Sequence, residues 1–251
     1  MKTRLLKGVC VGALGVACMA LSVSADEIQM GYSKSKNGYY GPYNKNGDGE
    51  FTVVPVDPSG WLPLYGYESG VTINVGPDQG SFQTFCVEGK EVIGPYPNTY
   101  DAVINTKAIN GGLPPSAGGD PISVGTAYLY SQFAAGTLGG YNYSGTTAQR
   151  TASAVELQNA FWWLESENNL NYDPTNPFEL EVVTEFGSPA AAMADGTGWN
   201  YGVRVLNLTT TDPQHKLRQD LLVKVPDGGM TMALLGIAMG CIGAMSRRLR
   251  K

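Results

Sequence analysis

Residues 81–89 read SFQTFCVEG, a short run of alternating apolar and polar side chains ending on a cysteine, two further residues and a glycine. Alternation at period two predicts a half-buried strand with Cys86 near its end. The other three cysteines, Cys10, Cys18 and Cys241, lie towards the two ends of the 251-residue chain. Residues 1–25 carry Lys2, Arg4 and Lys7, then an apolar run, then Val23-Ser24-Ala25. A basic start, an apolar middle and small residues at the cleavage position predict a secretory signal peptide cut before Asp26. Cys18 raises the lipoprotein alternative, which Gly15 fits poorly, because a larger aliphatic residue is usual there. With the signal removed, residues 26–224 hold Cys86 as their one thiol, and no disulfide can form within them.

The far end reads VPDGGMTMALLGIAMGCIGAMSRRLRK, residues 225–251. Met230 to Met245 carry no charge, and Arg247, Arg248, Arg250 and Lys251 follow. At about 1.5 Å per residue the apolar run reaches roughly 24 Å, short for a bilayer but workable with its flanks. It is expected to form a transmembrane helix with the basic tail on the cytoplasmic side. Motif, helix and basic cluster in this order resemble the VPDSG/PEP-CTERM family of bacterial sorting signals. Val225, Pro226, Asp227, Gly228 and Gly229 supply the motif. The resemblance covers the last 27 or so residues and implies an envelope or surface protein, anchored in the inner membrane at least transiently. Its implied partner is an exosortase-like processing enzyme.

Of the 22 acidic residues only Asp227 lies outside 26–224, while seven of the 17 basic residues belong to the two ends. The central domain is therefore more acidic than the chain as a whole, and a nucleic-acid partner is not expected, because phosphate recognition needs a basic face. Runs such as GEFTVVPV (49–56), GVTINV (70–75), DAVINTKAI (101–109), NYGVRVLNLTT (200–210) and QDLLVKV (219–225) read as strands between Gly, Pro, Asn and Asp. PISVGTAYLYSQFAAG (121–136) and TTAQRTASAVELQNAFWWLESEN (146–168) carry helical spacing instead. Thr146 or Thr147 is placed to cap the second helix. GSPAAAMADGTG (187–198) reads as a loop. The order predicts an α+β, mainly β domain over 26–224: a β-sandwich or barrel with a helical insertion at about 121–170.

The second helix contains an oddity. Ala154, Leu157, Phe161 and Leu164 form an apolar stripe, and Gln158 sits beside it, four residues from both Ala154 and Trp162. An amide buried there without partners would cost about 1–3 kcal/mol, so a bland explanation is a hydrogen bond to backbone. Phe85-Cys86-Val87 and Leu157-Gln158-Asn159-Ala160-Phe161-Trp162 together resemble the two motifs of the thioester domains of bacterial surface adhesins. Leu157 stands where several such adhesins have Thr. The resemblance implies a β-domain with a helical insert and an internal thioester between Cys86 and Gln158. It implies covalent capture of an amine, such as a lysine on a surface or matrix protein, by a binding protein that is not an enzyme. Trp162, Trp163 and Tyr128 are candidates for a wall keeping water from the site, although each reads first as an ordinary core aromatic. Donors to the oxyanion are not legible.

The chemistry suits these residue types, since a thiolate is a strong nucleophile and the Gln carboxamide carbon an electrophile. Gln83 is a rival acceptor, but three residues along a strand it faces the opposite side from Cys86. Two other function classes compete: a non-covalent matrix or structural protein with a degenerate thioester-like fold, and a cysteine hydrolase using His215, the one histidine. His215 lies in the polar turn TDPQHKLRQD with no orienting third group. No cofactor is expected. No metal is expected either, because one Cys and one His are too few for a zinc site. Asn44, Asn46, Asp48 and Gly49 imitate the start of a calcium loop, but its twelfth position falls on Val54 or Pro55 rather than Glu.

Overall fold

The strands are short, and turn residues break them where the sequence breaks its alternation. Viewed in a computed structural model, the protein is described over residues 26–30, 43–45, 48–56, 82–93, 99–109, 119–196, 200–214 and 216–225. Residues 1–25, expected as a signal peptide, residues 226–251, the GVTINV run and His215 lie outside the described residues. The elements are β1 (Asp26–Met30), β2 (Asn44–Lys45), β3 (Asp48–Gly49), β4 (Phe51–Pro55), β5 (Phe82–Thr84), β6 (Thr99–Asn105), β7 (Lys107–Ala108) and β8 (Asp120–Pro121). Four helices follow, α1 (Val124–Ala134), α2 (Thr147–Leu164), α3 (Pro177–Phe186) and α4 (Pro189–Ala192), then β9 (Val203–Thr210) and β10 (Leu217–Lys224). Among the described residues no helix is long and apolar enough to cross a membrane.

The result is a mixed α+β protein built on one six-stranded sheet, in the order β10-β9-β6-β1-β4-β5, with every pairing antiparallel. Its two outer strands meet. Past β5 the chain leaves β4 and makes an antiparallel bridge from Cys86 to Leu221 of β10. The Val87 N–H donates to the Asp220 carbonyl at 3.0 Å, and the Leu222 N–H to the Phe85 carbonyl at 3.1 Å. A register shift in β10 between Arg218 and Leu221 precedes this contact, and such a bulge bends a strand and re-aims it. The sheet thus closes on itself at Cys86.

Alternation along the strands divides the apolar residues into two cores. Ile28, Phe51, Tyr100, Leu206 and Leu221 fill one, together with Cys86. Phe85, Val87, Val205 and Leu222 face the other way and pack with the helices through Leu129, Phe133, Leu157 and Phe161. Cys86 and its two neighbours therefore stand on opposite faces of one strand, as period two requires.

The helical layer is longer than 121–170. The segment after 170 also folds, with Asn176 capping α3, Pro177 in its first turn, and Gly187 ending it in the left-handed region at φ 81°. Asn, Pro and Gly in those places are ordinary helix punctuation. Part of the stretch read as a loop is the short helix α4, capped by Ser188. Helix α2 starts at Thr146 with a capping box, in which the Thr146 side chain accepts from the Gln149 N–H and Gln149 reaches back. Val225, the first residue of the expected sorting motif, is buried, and its N–H donates to the Gly202 carbonyl.

Helix α2 is seated by two contacts. Gly49 has φ +111°, and a Cβ there would lie 2.8 Å from the Tyr43 carbonyl and 3.3 Å from the Ala154 Cβ, so only glycine lets hairpin and helix approach this closely. Arg150 grips Glu50 with two hydrogen bonds, Nε to Oε1 at 2.7 Å and Nη2 to Oε2 at 2.9 Å. Its Nη1 donates to the Tyr143 carbonyl at 3.1 Å, and its guanidinium lies 4.1 Å from the Tyr43 ring centre. The Tyr141 hydroxyl also donates to Glu50 Oε1. Glu50 is wholly buried. Arg150→Met is expected to lower unfolding free energy by about 3–5 kcal/mol, because it strands a buried carboxylate. Adding Glu50→Gln should recover part of that loss in urea denaturation.

Candidate functional site

Cys86 and Gln158 are 72 residues apart in sequence and meet in the structure. The Cys86 N–H donates to Gln158 Oε1 at 3.0 Å, and Gln158 Nε2 donates to the Cys86 carbonyl at 2.8 Å. Both residues have no exposed surface. In the bridge to Leu221 the hydrogen bonds are made by the neighbours of Cys86, so its own N–H and carbonyl point away from β10. The pairing of β5 with β4 ends at Thr84, opposite Phe51. The side-chain amide of Gln158 takes the place that the next strand would occupy. The bland expectation for Gln158, a backbone partner, therefore holds, and that backbone belongs to Cys86.

This arrangement supplies what the sequence left unnamed, a donor aimed at the Gln158 carbonyl oxygen: the N–H of Cys86 itself. Main-chain donors carry no signal in the residue type, so only the fold reveals them. Gln83 is engaged elsewhere, its Nε2 donating to Thr52 Oγ1 at 3.1 Å across the β4–β5 pair.

The aromatic surroundings differ from the expected set. Phe85 packs edge-on against Phe133, with centroids 4.9 Å apart, and against Phe161 at 5.2 Å. The Tyr130 hydroxyl donates to the Gln83 carbonyl at 3.0 Å. These rings, rather than Tyr128, flank the Cys86 strand. Tyr128 sits against Phe186 and Tyr201 on the other side of α1, and its hydroxyl donates to Glu181. Trp163 packs on Tyr172, with centroids 5.4 Å apart. Trp162 is 9 % exposed, one turn beyond Gln158 on the same side of α2. Tyr130 was within reach of sequence reasoning: in the helical pattern of α1 it shares a stripe with Phe133 and Ala134.

Acidic groups cluster past Cys86. Burial, reinforced by the charges of Asp220 and Glu91, pushes Glu88 up to about 10. Burial likewise pushes Asp220 to about 7, against the pull of the Ile109 N–H and the Asn207 amide, which donate to it. Glu165 is raised to about 7 by burial, although Thr126 and Ser123 donate to it at the start of α1. Among the described residues no group of three His, Cys, Asp or Glu side chains could hold a metal ion. No protein-family model matches the chain, and no curated protein or solved structure matches it.

Two expectations follow. Gln158→Leu, made in a Cys86→Ala chain so that no covalent link can contribute, should cost about 1–3 kcal/mol for each Cys86 main-chain group left buried without a partner. Urea denaturation against the Cys86→Ala parent measures it. The raised carboxyls fix the sign of the pH response, since they hold protons in the folded state that the unfolded chain has lost. Their stabilising contribution is complete below the ordinary carboxyl range. It fades as pH rises through about 7 for Asp220 and Glu165, and through about 10 for Glu88. The melting temperature should therefore be higher at pH 5.5 than at pH 8, and Glu88→Gln should flatten the alkaline limb.

Proposed function

We propose that this is an exported, membrane-anchored surface protein that stores an internal thioester between Cys86 and Gln158 and uses it to capture an amine covalently. One observation carries this: the Gln158 amide is held by both main-chain groups of the residue that bears the thiol. Those bonds lay the amide along the plane of the sheet, while a strand side chain stands off that plane. A Cys86 sulfur standing off that plane would meet the carbonyl carbon from its face, the direction that nucleophilic attack requires.

The step balances without an oxidant or cofactor. The Cys86 sulfur bonds to the Gln158 carbonyl carbon, the carbon–nitrogen bond breaks, and the thiol proton leaves with the nitrogen as ammonia. Negative charge passes through the carbonyl oxygen, where the Cys86 N–H already donates. The Cys86 carbonyl holds the departing nitrogen. A lysine amine on a surface or matrix protein then displaces Cys86 and leaves an amide on Gln158, a single turnover of acyl transfer. Phe85, Phe133 and Phe161 keep water from the stored acyl group. Export by the signal peptide, membrane retention through 230–245 and processing at Val225–Gly229 by an exosortase-like enzyme belong to the same reading.

A second reading has its own support. The amide fully satisfies a buried strand end, which is useful to a purely structural matrix protein with no thioester. Intact mass separates the two. The thioester predicts a chain lighter by one ammonia, with Cys86 untouched by iodoacetamide after denaturation. Methylamine should add at Gln158 and restore the thiol, faster in mild urea than in buffer, because both residues are buried. Full mass with ready alkylation of Cys86 would leave only the structural role.

A further inference from the structure

Within this thioester reading, we infer that Trp162 is a second donor to the Gln158 acyl oxygen, engaged when charge develops there and idle before. The indole Nε1 of Trp162 is buried and has no hydrogen-bond partner. Buried indole N–H groups ordinarily find an acceptor, so one without a partner invites the question of which acceptor it awaits. Trp162 lies four residues after Gln158 in α2, on the same side of the helix. Long helical side chains lean back over the preceding turn, which here is the turn of Gln158. The adjacent Trp163 is committed elsewhere, against Tyr172.

The acceptor has capacity to spare. In the resting amide, Oε1 takes one hydrogen bond, from the Cys86 N–H. A carbonyl oxygen has two lone pairs, and the tetrahedral oxyanion formed on attack has three. When sulfur bonds to the Gln158 carbon, the carbon–oxygen bond lengthens and the oxygen turns out of the amide plane, towards the helix that carries Trp162. The indole N–H then completes a two-donor site with the Cys86 N–H. The same donor serves again when the amine displaces sulfur.

Trp162→Phe keeps a large ring and removes the donor. In the full chain refolded from denaturant, ammonia loss followed by intact mass should slow about 100-fold, the effect of deleting one oxyanion donor. Trp162→His, which retains a ring N–H, should recover part of the rate. Trp163→Phe should leave the rate unchanged, and near-ultraviolet circular dichroism checks that each variant folds. Should Trp162→Phe not fold, Trp162→Leu, which also lacks the donor, should show the same slowing in the same assay. Equal rates for a folded donor-free variant and wild type would overturn the inference while leaving the thioester intact. A wild-type chain that never loses ammonia fails at the earlier step and removes both.

Discussion

A single side-chain amide does the work of a missing strand. Beyond Thr84 the chain leaves β4 to join β10, and this exchange leaves one residue, Cys86, with main-chain groups facing no strand. Buried N–H and carbonyl groups are almost always paired. Gln158 pairs both, because a primary amide presents a donor and an acceptor side by side, as an extended strand does. No carboxylate can replace it, since a carboxylate only accepts. The sheet closure therefore depends on the seating of α2.

That dependence explains why so much polar structure is buried around α2. A Gln that must meet two atoms of one residue tolerates little rotation or sliding of its helix. Gly49 against Ala154 fixes how near the helix comes, and the fork of Arg150 on Glu50 fixes its rotation about its axis. The capping box at Thr146 fixes where it begins. On the opposite side, Asp220 gathers the Ile109 N–H, the Leu208 N–H and the Asn207 amide around the bulge of β10. The bulge aims Leu221 at Cys86, so two independent sets of polar contacts converge on one residue.

Much of this was legible and some was not. Strand alternation around Cys86 and the helical stripe around Gln158 both appear as the sequence predicts, because each burial pattern is local. The opposite facing of Gln83 followed from period two alone. Helix α3 was missed, although Asn176-Pro177 and Gly187 punctuate it, because its short apolar stripe is interrupted by four acidic or hydroxyl side chains. Closure of the sheet could not be read, since it pairs residues more than 130 positions apart through main-chain atoms, Val87 with Asp220 and Leu222 with Phe85. Tyr128 looked equivalent to Tyr130. Two residues along a helix turn a side chain to the far face, and only packing decides which face is inward.

Burial serves a stored acyl group and hinders its use. A thioester lasts only while water is kept out, yet an amine must reach the same carbon. The two demands are met together if one element near the site opens more readily than the rest. The seam between residues 84–87 and β10 is such an element. Among the described residues it rests on two main-chain hydrogen bonds, the Thr84 hydroxyl on the Leu222 carbonyl and, one residue on, the Gln219 amide on the Glu88 carbonyl, whereas β9 pairs with β6 over six consecutive residues. Regions with few bonds open locally at a fraction of the global unfolding free energy. Were that seam to part, Cys86 would be uncovered while Glu50 and Gly49 still hold α2 and Gln158. On the thioester reading the weakest joint of the sheet is thus the entrance, and the residue that closes the fold is the one released by the captured amine.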